Sequence, residues 1–252
     1  MISKSKATSQ VLLQSQPNFR DLGGITAKNG HKIKPGLLFR SGDLHSISDE
    51  DVAKLEEIGL ATIVDFRSER EREWRPDKKI RTVRNIYHMT IPDAVRDQAT
   101  EFLKRNDLGG LESLLIDEYR RMVTEHRKEF ADLLNLIANT DDLPLVFHCA
   151  AGKDRTGLAA IFLLTALDVS MDLSLEDFYA TNGYNAGYAE KMIGRIKEKG
   201  YNGELMRPML EVRKEYLDAA LHEIEHRYGG LSTYLTETLN ADIRKLKNRY
   251  LI

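Results

Sequence analysis

Cysteine occurs once in the 252 residues, so no disulfide can form within the chain. Small secreted folds held together by cystine are thereby excluded, and a reducing compartment is the simplest setting. Neither sign of charge is in excess: 37 Lys and Arg against 39 Asp and Glu leave a formal net charge of -2. No global field draws the chain to nucleic acid, which is not expected as a partner. Long apolar runs are missing too. The longest, near residues 158–167, is too short and too interrupted to span a bilayer, so no integral membrane segment is expected. Residues 1–16 carry lysines but no continuous apolar stretch, which is not the pattern of a secretory signal. A cytoplasmic setting is the expectation for the chain as written, with secretion open if a signal peptide is removed ahead of it. Internal repeats, low-complexity tracts and long Gly/Ser/Pro linkers are absent as well.

The lone cysteine is also the most informative residue present. Residues 148–157 read H-C-A-A-G-K-D-R-T-G. The apolar run Leu145-Val146-Phe147 leads in and a longer one leads out, which predicts a strand, a tight loop and a helix. Cys149 then stands at the strand end, with Arg155 six residues on at the helix start. A thiolate can attack phosphorus, and its anionic form is favoured by a nest of backbone N–H groups, a helix N-terminus and a guanidinium. Ala150, Ala151, Gly152, Lys153 and Asp154 would supply the nest. Arg155 offers a planar fork that grips two phosphoryl oxygens at once. Thr156 is placed to donate to the sulfur when a thiophosphate breaks down, and His148 to brace the loop.

Around this loop the pattern alternates strands and helices early and is helical later. Residues 36–40 and 61–66 read as strands, and 82–89 as β-rich. Ser48 is a predicted N-cap for a helix over 49–58 that ends at Gly59, and Ser68 caps a short charged helix that stops before Pro76. Residues 94–106 and 111–139 are predicted helices, broken at Gly109-Gly110 and near His126. Everything after Thr156 is predicted helical, punctuated at Gly183, Gly200 and Gly229-Gly230. The fold class is α/β: a single domain over residues 17–252 with a central, mostly parallel sheet flanked by helices. Residues 1–16 are expected to be a loosely ordered leader.

The decapeptide resembles the signature loop of cysteine-dependent protein tyrosine phosphatases, and is most similar to the bacterial branch that carries Lys-Asp inside the loop. Similar segments are N-F-R-D-L-G-G at 18–24, F-R-S at 39–41 with Leu44, and D-F-R-S-E-R-E at 65–71. Tyr228-Gly229-Gly230 with Tyr234-Leu235 also fits. The resemblance implies a phosphatase-like fold, Cys149 as nucleophile, Arg155 as phosphate-binding arginine, and no metal or cofactor. Its implied substrates are phosphorylated proteins or peptides, with phosphoserine, phosphothreonine or phosphoinositides as extensions. Lys153 resembles the loop lysine of phosphoinositide phosphatases, so a lipid phosphatase is one alternative and a catalytically silent phosphate-binding module another. Oligomeric state is not legible.

The leaving oxygen needs a proton donor, and three aspartates compete. Asp65 ends a predicted strand, where α/β active sites gather, and matches the family segment; it is the expected acid. Asp154 lies in the loop itself. Asp93 follows Pro92, in partial resemblance to the Pro-Asp pair on the acid loop of animal tyrosine phosphatases, but such an Asp more usually caps the helix that follows. Arg20, Arg40 and Arg67 read as ion-paired structural residues. His222 and His226 fit H-E-x-x-H, but at about 100° per residue they point away from the face of Leu217, Leu221, Ile224 and Tyr228, so no metal is expected there. Lys78, Lys79, Arg81 and Arg84 read as a solvated edge.

Overall fold

Alternating apolar residues build the centre of the molecule. The computed structural model describes residues 13–252, without the side chains of residues 96 and 97. Five strands form one sheet: β1 (Arg20–Asp21), β2 (Leu38–Ser41), β3 (Thr62–Asp65), β4 (Asn85–His88) and β5 (Leu145–His148). Their order is β1-β2-β5-β3-β4, with only the β1–β2 pair antiparallel. Leu38, Val64, Leu145 and Phe147 bury one face, whereas Phe39, Ile63 and Val146 bury the other. This period of two gives the sheet a core on both sides. The expected mostly parallel sheet, covered by helices on both faces, is what the chain forms.

The helix α1 (Asp49–Glu57) packs Leu55 on the second face. It starts at Ser48, whose side chain accepts from the Asp51 amide, and ends before Gly59 at a φ of +70°. On the first face lie α3 (Ala94–Arg105), α4 (Leu108–Glu125), α5 (Arg127–Asn139) and α6 (Asp154–Ala166). The rings of Phe66, Phe130, Phe162 and Tyr234 run through this layer with successive centroids 6.0, 5.1 and 5.5 Å apart. The remaining helices are α2 (Glu69–Trp74), α7 (Met171–Glu198), α8 (Arg207–Leu210), α9 (Lys214–Tyr228), α10 (Leu231–Thr233) and α11 (Ile243–Tyr250). No helix among the described residues is long and apolar enough to cross a membrane.

Three sequence expectations change. Gly109 and Gly110 do not break a helix; they lie in the first turn of α4, where Asp107 caps the Gly110 amide at 2.8 Å. Gly183 sits inside α7, which runs unbroken for 28 residues because tertiary packing outweighs a glycine's small helix penalty. Of the expected loose leader, residues 1–12 lie outside the described residues. Leu13 is buried, and the amides of Gln14 and Ser15 donate to Asp51 at 3.2 and 2.7 Å, so ordered chain begins before residue 17.

Candidate active site

The parallel strands β2, β3 and β5 end together, with Ser41 and Asp65 both in register with His148. Cys149 follows directly, and a loop of four residues connects it to α6. Three successive carbonyls of that loop face outward. The Ala150 oxygen accepts from the Asp43 amide at 2.9 Å. The Ala151 oxygen accepts from Asn18 and Asn185 at 2.8 and 3.0 Å, and the Gly152 oxygen from Asn18 and Arg40 at 3.1 and 2.9 Å. In a trans peptide the next N–H points opposite the C=O. The amides of Ala151, Gly152 and Lys153 therefore turn inward as an anion nest, joined by the N-terminus of the nearly fully buried α6. Gly152 is required: its φ is +67°, and a Cβ there would lie 2.4 Å from the Ser41 oxygen.

Two buried ion networks hold the loop. On one side Arg20 and Arg40 share Asp177 of α7; Arg20 Nε meets Oδ1 at 2.6 Å and Arg40 donates to Oδ2. Burial and the nearby Arg20 push the Arg40 guanidinium down to about 10, against the pull of Asp177. Asp177 is held below the usual carboxylate range by the two arginines, which outweigh its burial. On the other side Arg67 binds Asp65 and Asp77 at 2.8 and 2.9 Å, and Asp77 stands 3.2 Å from His148 Nε2. Burial disfavours a charged His148, but Asp77 and Asp65 outweigh it and raise the imidazole to about 9. Asp65, Asp77 and His148 have the spacing of metal ligands, yet the positive charge among them is the Arg67 guanidinium.

Asp65 is thus not where the sequence reading wanted an acid. It is buried, Arg67 Nε and Nη2 occupy both its oxygens, and the Arg67 amide adds a bond at 2.9 Å. Its strand-end position serves to bind the residue two places on. The opening beside the loop is lined instead by Asp154, Asp93, Glu118 and Arg155, with apolar walls from Pro92, Val95, Leu115, Met122 and Met209. Glu118 is raised above the usual glutamate range by burial, offset by Arg121 and reinforced by Asp93. The helix α4 and Met209 of α8 roof this space, and Cys149 is 3% exposed.

Arg155 is aimed by a residue that sequence reasoning did not single out. Glu71 of α2 takes Nη1 and Nη2 with its two oxygens at 2.9 and 2.8 Å, and Nη1 also donates to the Ile91 carbonyl at 3.0 Å. Among the described residues three of the five N–H donors are engaged; Nε–H and the second Nη2–H, on one edge of the fork, are left for two oxygens of a ligand. Burial opposes charge on Arg155, but Glu71 and the Cys149 sulfur outweigh it and hold the guanidinium charged. Burial likewise works against the Glu71 anion, yet Arg155 and Ser68 bring its carboxyl down to about 2. The signal for Glu71 was present as a capping box: Ser68 binds the Glu71 amide, and the carboxylate returns to the Ser68 amide at 2.8 Å.

Lys153 does not stand free at a pocket mouth. It is 3% exposed, and its ammonium donates to Asp154 Oδ1 at 2.7 Å. Thr156 Oγ1 is buried with no hydrogen-bond partner among the described residues, the sulfur included. His222 and His226 are exposed on α9, and Glu223 pairs with Arg227. In the basic cluster Lys78, Arg81 and Arg84 each meet a carboxylate: Asp49, Glu56 and Asp142.

The family model described as the tyrosine phosphatase family matches residues 11–252. A Cupriavidus necator protein that carries the name of a tyrosine-protein phosphatase is 32% identical over 238 residues, covering 93% of this chain and 85% of its own. The triple specificity protein phosphatase PtpB of Mycobacterium tuberculosis is 28% identical over 256 residues, covering 87% and 90%. A crystal structure of TpbA from P. aeruginosa aligns over 98% of both chains at 16% identity, with a TM-score of 0.39.

Proposed function

The chain belongs to the tyrosine phosphatase family, and from that membership we propose that it hydrolyses phosphotyrosine in proteins or peptides through a phosphocysteine on Cys149. The observation that carries this reading is that Glu71 leaves one edge of the Arg155 fork without a partner among the described residues, on a side chain that lines the opening and is electrostatically coupled to the Cys149 sulfur. A phosphoryl group there meets donors on all its equatorial oxygens, and these bonds tighten as negative charge develops. The apolar walls of Pro92, Val95, Leu115, Met122 and Met209 suit an aromatic ring.

In the first step the thiolate attacks phosphorus, the P–O ester bond breaks, and the leaving oxygen takes a proton from Asp154. In the second, water attacks phosphorus, gives its proton to the Asp154 carboxylate, and the S–P bond breaks to return thiolate and free phosphate. Asp154 is assigned this part in place of Asp65 because it lines the opening beside Arg155 while Asp65 is sealed against Arg67. No step calls on a metal or cofactor.

A second reading has phosphoserine, phosphothreonine and phosphoinositides entering the same site. The name of the M. tuberculosis relative favours it. The burial of Lys153 and its pairing with Asp154 weigh against a strong preference for extra phosphates.

Release of phosphate from p-nitrophenyl phosphate, phosphotyrosyl, phosphoseryl and phosphothreonyl peptides and phosphoinositide vesicles, all with chelator present, ranks the readings. The parent should turn over phosphotyrosyl peptide best, and Cys149→Ser should turn over nothing while still binding it. Turnover by Cys149→Ser at the parental rate would sink the mechanism, and faster release from vesicles would move the substrate to lipid.

A further inference from the structure

We infer that Tyr119 of α4 is a positioning residue for Asp154, fixing which carboxyl oxygen carries the catalytic proton. The inference rests on the reading of Asp154 as acid and base. Tyr119 is wholly buried, with its ring 5.7 Å from that of Tyr216. Its hydroxyl donates to Asp154 Oδ1 at 2.6 Å. The Lys153 ammonium donates to the same oxygen at 2.7 Å. Two donors on Oδ1 leave it no room for a proton of its own, so the proton is confined to Oδ2 of a side chain that lines the opening.

Tyr119 can act only as a donor here. Burial first, then the charges of Asp154 and Cys149, hold its phenol well above the ordinary tyrosine range. It neither takes the proton from Asp154 nor competes for one. The carboxyl group then gives a proton in the first step and receives one in the second through a single oxygen, without rotating between them. Lys153 could not do this alone, since a flexible ammonium fixes a distance but not a plane. A buried ring with one hydroxyl fixes both.

The helix that provides Tyr119 also provides Leu115, Glu118 and Met122 to the roof. The same element therefore covers the pocket and sets the acid.

Tyr119→Phe tests the inference because it keeps the ring and removes only the hydroxyl. Aryl phosphates with easy (4-nitrophenol) and difficult (phenol) leaving groups are compared in single turnovers, which read the first step alone, for the parent, Tyr119→Phe, Asp154→Asn and the double variant. General acid catalysis contributes roughly 10²–10⁴-fold, of which Tyr119→Phe should remove about tenfold in the single-turnover rate for phenyl phosphate. Its single-turnover rate with p-nitrophenyl phosphate should fall much less, because that leaving group needs little protonation. Asp154→Asn should show the same dependence more strongly, and the double variant should be no worse than Asp154→Asn. An equal loss on both esters, no loss on either, or a loss that adds fully to that of Asp154→Asn overturns the role of Tyr119 while Asp154 stands. An Asp154→Asn enzyme indifferent to leaving group overturns the Asp154 reading itself, and this inference with it. Thermal unfolding of each variant separates a misfolded protein from a mispositioned acid, and the double variant carries the test on a background where packing loss alone would still add.

Discussion

Glu71 grips Arg155 with both carboxylate oxygens, at 2.8 and 2.9 Å, while one of them also closes the N-terminal cap of its own helix. Local and long-range bonding meet in one side chain, 84 residues from its partner. The grip takes one edge of the guanidinium and leaves the other without a partner among the described residues.

Removing this carboxylate should therefore hurt twice. In Glu71→Ala an arginine is left buried without its counter-ion, and a cap is lost. Breaking a buried pair in this way costs about 3–5 kcal/mol, read as a lower urea midpoint. At temperatures where the variant is still folded, kcat/KM should fall by about 10²-fold or more, the scale of losing one oriented transition-state donor. A variant with parental kinetics would show that Arg155 needs no aiming.

Arg155→Lys keeps the charge but has no fork. It cannot satisfy Glu71 with two bonds and present two more to a phosphoryl group. Turnover should drop by about 10²–10³-fold, with substrate affinity weakened less than kcat. Steady-state kinetics on p-nitrophenyl phosphate reads both quantities.

The His148–Asp77 pair gives stability a definite pH profile. The imidazole titrates near 9 in the folded protein against an ordinary value of 6.5. Its contribution is complete below that ordinary value and disappears as pH rises through about 9. Asp77 and Glu71 are both brought down to about 2. Their contributions are present above their ordinary values and fade as pH falls toward 2. Urea unfolding between pH 6 and 10 should show a decline in the parent that His148→Asn flattens; parallel curves would exclude the histidine as its source.

Asp177→Asn should destabilise the protein by about 3–5 kcal/mol, because Arg20 and Arg40 would share a buried site with no anion. The Gly152 carbonyl is held by Arg40, so the loop should loosen and kcat should fall along with the melting temperature. Calorimetry and kinetics on one preparation test the two together.

Much of this site was legible because its signals are local. The loop from His148 to Arg155 reads directly: a strand end, a glycine and a helix start fix the geometry within a few residues. The caps at Ser48 and Ser68 are local as well, and both form. Asp177 gave no sign, since its arginines lie 137 and 157 residues away and only the fold unites them. Asp65 folds back on Arg67, an arrangement the sequence could not show because a strand-end carboxylate looks the same there whether it faces substrate or a neighbouring arginine. Glycines misled for a related reason. Gly183 and Gly110 count as breakers in isolation, yet packing along α7 and the cap from Asp107 keep their helices intact.

The loop after Cys149 is continuous with α6, and nearly every side chain of that helix is buried. A helix gripped on all sides moves as a rod, so a vacancy opened at Phe162 or Leu163 would tilt its first turn as well as weaken the core. Along this one element thermostability and turnover are pleiotropic traits. Selection on either must act on both, which leaves the surface of the molecule, and not its centre, as the region where the enzyme is free to drift.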